Sequence, residues 1–152
     1  WLPKNLPSEK RTGIVHGDYS LTNVMIGKND PNVIAILDWE LSTLGDPCDD
    51  FNYHCLQYIM NPKLADKDYC RNQGIPVIDE YVKMYSEKIN VDLTEEWDLY
   101  SAYNLFKLAG ILQGILGRVR DGTAAHENAA ERASGVRNLS DKAWDLVKKN
   151  FL

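Results

Sequence analysis

Three polar side chains in the first forty residues have the types and spacing for phosphate chemistry. Asp18 follows a short apolar run at residues 13–16, Asn23 opens a second at 23–26, and Asp38 lies in a third at 33–39. Residues 27–32, Gly-Lys-Asn-Asp-Pro-Asn, have turn composition, so the second and third runs read as a β-hairpin with a long loop. A hairpin returns the chain to where it began, which lets Asp18, Asn23 and Asp38 converge at one end of a small sheet. Two carboxylates and a carboxamide oxygen are hard ligands. They suit Mg²⁺, which takes few protein groups and shares its other positions with phosphates and water. Phosphoryl transfer needs such ligands, together with a carboxylate placed to take the proton of the attacking hydroxyl. A lone Asp-x₄-Asn is more often a pair of turn residues. Here His16-Gly17 precedes it, a hydrophobic strand leads into Asp38, and Gly45-Asp46-Pro47 follows.

Other candidates compete for roles around this set. Tyr19, beside Asp18, and Glu40, just past Asp38, are possible substrate contacts. Asp46, Asp49 and Asp50 lack EF-hand spacing and fit better as caps of a following helix. His54 reads as a structural histidine on a helix face and His126 as solvent-facing. A weaker alternative, a transition-metal hydrolase, would use His16, Asp18, Asp38 and His54. Trp97 and Trp144 read as core anchors before ligand-stacking groups.

The elements that must position these residues divide at about Pro47. Strand and loop signals come before it and helical periodicity after it. The unbroken apolar run at 33–39 predicts a strand buried on both faces. A short helical face covers residues 49–60, and residues 62–75 read as loop. Pro76 stands at a first helical position before an amphipathic helix. Thr94 reads as the N-cap of the most apolar helix, which runs to about Arg120 through the centre of the fold. Gly110, Gly114 and Gly117 within it read as close-packing positions, and a last helix covers about 123–150. The expected class is α+β, mainly α, with a small β-hairpin carrying the reactive loop and about four helices.

His-Gly-Asp-x₄-Asn at 16–23, the apolar run into Asp38, and Gly-Asp-Pro-x-x-Asp at 45–50 together resemble the aminoglycoside phosphotransferase family of kinase-like enzymes. Residues 37–47 and 109–114 resemble the branch of that family associated with acyl-CoA dehydrogenases. The resemblance implies a protein-kinase-like C-lobe, with Asp18 as catalytic base and Asn23 and Asp38 as Mg²⁺ ligands. It also implies His16, Asp46 and Asp50 as supports of the site and ATP as phosphate donor. The acceptor it implies is a small-molecule hydroxyl, either a hydroxyacyl or acyl-CoA compound or one like an aminoglycoside or choline. The alternative is a non-catalytic pseudokinase or regulatory module partnered with an acyl-CoA dehydrogenase. Gly17 stands where eukaryotic protein kinases have Arg, and Trp39-Glu40 follows Asp38 in place of Phe-Gly, which disfavours a protein substrate.

The chain has 152 residues, a net charge of −5, 44% hydrophobic and 10% aromatic residues, which excludes a disordered chain. No apolar stretch approaches the ~18 residues of a membrane span. The acidity speaks against a nucleic-acid surface. Three cysteines without a C-x-x-C pair fit the reduced thiols of an intracellular, cytoplasmic protein. The chain opens at Trp1 rather than Met, and neither a Gly-rich loop after a strand nor a strand Lys is recognisable. Residues 1–152 are therefore expected to form the C-terminal lobe of a kinase-like domain whose N-terminal nucleotide-binding lobe is absent. Little activity is expected of this part alone.

Overall fold

A computed structural model describes residues 1–5, 11–124 and 128–152. They divide into two compact units, Trp1–Glu96 and Trp97–Leu152.

Among its described residues the first unit holds a short helix α1 (Leu2–Asn5), four strands and five further helices. Strand β1 (Gly13–Val15) pairs antiparallel with β4 (Thr43–Gly45), setting Ile14 opposite Leu44. Strand β2 (Val24–Ile26) pairs antiparallel with β3 (Val33–Ile36), with a register shift between Met25 and Ile26. Alternation decides the faces of the first ribbon. Val15 is buried, whereas Ile14 and Leu44 point outward. The expected two-sided burial of the third run is not met, since Val33, Ile34 and Leu37 are about half exposed. A two-stranded ribbon has no further strand to cover its second face.

Helix α2 (Cys48–Cys55) buries Cys48, Phe51, Asn52 and Cys55, the i, i+3, i+4, i+7 stripe of an amphipathic helix. Phe51 stacks on Tyr85 of α6 (Ile78–Ile89) with ring centroids 3.8 Å apart and meets Tyr81 edge-on at 5.1 Å. Such pairs add about 0.5–1.5 kcal/mol each beyond area burial. After α3 (Gln57–Met60), the expected loop at 62–75 contains two short helices, α4 (Pro62–Ala65) and α5 (Lys67–Asn72). Side-chain caps start them rather than an apolar stripe. Asn61 accepts from Lys63 N–H, and Asp66 accepts from Asp68 and Tyr69 N–H. Thr94 is not the N-cap, because the helix after it begins only at Trp97; its N–H and hydroxyl donate to Asp92 Oδ1.

The second unit contains α7 (Trp97–Arg120), α8 (Ala129–Arg132) and α9 (Val136–Phe151), with α7 packed along α9. The expected final helix is broken, because a 3-10 turn at Ala133–Gly135 separates α8 from α9. His126 lies outside the described residues. Burial along α7 is confined to its first half, from Tyr100 to Ala109. Gly110 and Gly117 face open space, and Gly114 meets only the Arg118 guanidinium, so these glycines are not close-packing positions. Trp144 is 47% exposed and is no core anchor. The four longest helices, α2, α6, α7 and α9, match the expected number, and the others are short additions. Among the described residues no helix is long and apolar enough to cross a membrane.

Candidate active site

Every candidate site residue lies in the first unit. Strand β1 delivers the chain to the loop at residues 16–23, β2 and β3 bring it back, and β4 leads on to α2. Leu37 N–H donates to Asn23 O at 2.8 Å, extending the β2–β3 ladder by one step and setting Asp38 one residue beyond the partner of Asn23.

His16 is 2% exposed, and both ring nitrogens are engaged. Nδ1 accepts from Asp18 N–H at 3.2 Å, and Nε2 lies 2.7 Å from Leu37 O. A backbone carbonyl can only accept, so Nε2 is the donor to Leu37 O, and Nδ1, facing an N–H, is the acceptor. His16 thus ties the start of the loop to the strand end that carries Asp38, a bracing role that leaves no nitrogen for a metal. Trp39 closes over it with ring centroids 4.7 Å apart and donates its indole N–H to Ile36 O.

Gly17 has φ +85°, and a Cβ there would lie 2.5 Å from Leu41 O. Only glycine fits the loop at this point. Asp50, from the first turn of α2, accepts the backbone N–H groups of both His16 and Gly17. Asp46 acts elsewhere. Its carboxylate accepts from Cys48 N–H, starting α2, and from Arg11 Nε at 3.0 and 3.1 Å. Arg11 also reaches Glu96 at 2.8 Å, an ion triad that anchors the start of α2. Sequence reading passed over Arg11, because no local spacing ties it to Asp46 or Glu96.

Asp18 is half-buried. Asn23 Nδ2 donates to its backbone carbonyl at 3.0 Å and to its Oδ2 at 3.1 Å. Both partners are oxygens without a proton, so they dictate which way the Asn23 amide faces. Asn23 Oδ1 is left as the acceptor end. Asp38 sits in the left-handed region at φ 67°, exposed, and its side chain does not cap the following 3-10 turn. A carboxamide oxygen and an exposed carboxylate on adjoining strand ends are hard donors of the kind that fit Mg²⁺. Among the described residues no group of three or more His, Cys, Asp and Glu is placed to hold a metal, which gives the hydrolase alternative no ligand set.

Tyr19 is half-buried against His54, 5.7 Å between centroids, and Glu40 is exposed on the 3-10 turn rather than on a continuing strand. Burial and Asp46 push the Cys48 thiol up to about 12, and burial raises Cys55 as well, so both stay protonated. Sequence reading also missed Tyr53. Its hydroxyl is hydrogen-bonded to the Asp18 side chain, and burial together with that carboxylate raises its pKa. The signal was available: Tyr53 lies three residues after Asp50 on the same helix.

Comparison with known proteins places the chain in a family. The model of the phosphotransferase enzyme family matches residues 1–103. Mouse acyl-CoA dehydrogenase family member 10 is 37% identical over 98% of the chain, which spans 14% of that protein. Human acyl-CoA dehydrogenase family member 11 is 33% identical over 99% of the chain, which spans 20% of it. A crystal structure named as a "putative aminoglycoside phosphotransferase" from Ralstonia eutropha superposes with a TM-score of 0.89 at 40% identity. It covers the whole chain and is matched over 48% of its own length. With residues 1–103 matched by the family model and the fold matched over the whole chain, the chain belongs to the phosphotransferase enzyme family.

Proposed function

We propose that this chain supplies the acid–base and metal-binding half of an ATP-dependent small-molecule kinase, as the C-terminal lobe of a larger kinase-like domain. The observation that carries the reading is the Asp18–Asn23 contact set one residue from Asp38 across the hairpin end. In this reading Asp18 takes the proton of the acceptor hydroxyl. The acceptor oxygen forms its bond to the γ-phosphorus as the bond to the ADP oxygen breaks, and ADP leaves. Asn23 Oδ1 and the Asp38 carboxylate would hold Mg²⁺, which when bound neutralises charge on the phosphate oxygens. His16 and Asp50 keep the loop that bears Asp18 in place, and Tyr19 and Glu40 are the candidate contacts for the acceptor.

The relatives are named as acyl-CoA dehydrogenase family members, which favours a hydroxyacyl or acyl-CoA acceptor over an aminoglycoside or choline. A partnership with a dehydrogenase follows from the same names. The test is Asp18→Asn in the full-length protein, assayed for Mg²⁺-dependent ADP formation with a hydroxyacyl-CoA, choline and an aminoglycoside. Turnover should fall about 10²–10⁴-fold while calorimetric ATP affinity stays within about twofold. Unchanged turnover would remove Asp18 from its role.

A further inference from the structure

Helix α2 carries a second stripe opposite the one it buries. Asp50, Tyr53 and His54 stand at i, i+3 and i+4 and therefore share a face. Each meets the reactive loop one step further along. Asp50 holds the N–H groups of His16 and Gly17. The Tyr53 hydroxyl bonds the Asp18 carboxylate. The His54 ring lies against Tyr19. Consecutive residues of the loop are thus matched to successive positions on about one turn of helix.

A carboxylate on a loop has two side-chain torsions to sample, and Asn23 secures Oδ2 from one side only. We propose that Tyr53 is a positioning residue for phosphate transfer: from the face of α2 that already grips His16 and Gly17, it completes the hold on Asp18 and fixes the carboxylate for an incoming hydroxyl. The inference rests on the reading of Asp18 as base. A phenol suits the task. Burial and the neighbouring carboxylate keep its proton on, so it donates without competing for the proton of the acceptor. The ring sits on a helix whose opposite stripe is anchored by Phe51 on Tyr85, which gives it a rigid mount.

The experiment is Tyr53→Phe in the full-length protein. ADP release from Mg-ATP is followed with water as acceptor, alone and in the Asp18→Asn background, with melting temperatures for each variant. Expected is a fall in kcat of about 10–100-fold with KM for ATP within about twofold, and no further fall once Asp18 is Asn. Tyr58→Phe, which removes a hydroxyl bonded to Pro76 O, is the control and should leave kcat unchanged. Wild-type kcat in Tyr53→Phe overturns the proposal. So does an equal further loss in the Asp18→Asn background, or early melting with kcat and KM lost together. Wild-type turnover in Asp18→Asn alone identifies the base reading as the failure, and the positioning role falls with it.

Discussion

Gly17 is where the reactive loop tolerates least. Its φ of +85° costs any L-residue strain, and a methyl group there would meet Leu41 O at 2.5 Å. Its N–H is also one of the two that Asp50 grips. Gly17→Ala should therefore cost about 2–3 kcal/mol, combining backbone strain with a displaced loop. In a chain of this size that lowers the melting temperature by about 5–10 °C, which calorimetry would detect. An unshifted melting temperature would mean the loop adapts without strain. At this scale the sequence was most readable, because Asp18, Asn23 and Asp38 are tied by fixed short spacings around one hairpin. Tyr53 and Arg11 were less so. Their contacts depend on how α2 is rotated against the loop and on Glu96, 85 residues from Arg11. Asp46 and Asp50 were both expected to support the site, and of the two Asp50 grips the loop backbone, because about one helical turn separates the two carboxylates.

Among the elements, α2 decides the geometry, and His54 on its loop-facing stripe makes that geometry sensitive to acid. Burial holds the His54 pKa below its ordinary 6.5, and its ring is enclosed by Tyr19 and Tyr81 rather than by a carboxylate. Tyr81 keeps its proton, since burial raises its pKa. Below pH 6.5 the unfolded chain takes up a proton that the folded chain resists, so the unfolded state binds more protons there. Stability is therefore present above that value and is lost as pH falls from it toward the lower folded value. Melting between pH 7.5 and about 5 should show this decline. His54→Gln should flatten the slope, and an identical slope in the variant would refute the assignment. Helices with apolar stripes, α2, α6 and α9, were legible from periodicity. The short α4 and α5 were not, because one cap each starts them and no stripe marks them. The exposed faces of β3 were also misread, since an unbroken apolar run gives no information on how many layers cover it.

For the whole molecule, the first unit leaves a concentration of apolar surface. Among its described residues Ile14, Leu21, Met25, Ile26, Val33, Ile34, Leu37, Trp39, Leu41 and Leu44 are all exposed, by 46% to 74%. They lie on the two ribbons and the turns joining them, the same elements that carry Asp18, Asn23 and Asp38. Exposed apolar side chains concentrated on so few elements mark a surface built to be covered. The proposed division into lobes accounts for it physically. In the proposed function the residues described would contribute a carboxylate base and two hard oxygens, which would engage only the phosphate end of a nucleotide. No Gly-rich turn is present to enclose the phosphates, and an ATP molecule held only through Mg²⁺ keeps most of its surface in water. The 152 residues alone should therefore bind Mg-ATP weakly, with Kd above about 0.1 mM, corresponding to less than about 5.5 kcal/mol. The full-length protein should bind it at least about tenfold more tightly. Calorimetric titration of both forms decides the matter: micromolar binding by the isolated chain would show that these residues already enclose the nucleotide. The apolar surface around β1–β4 would then need an occupant other than a nucleotide-binding lobe.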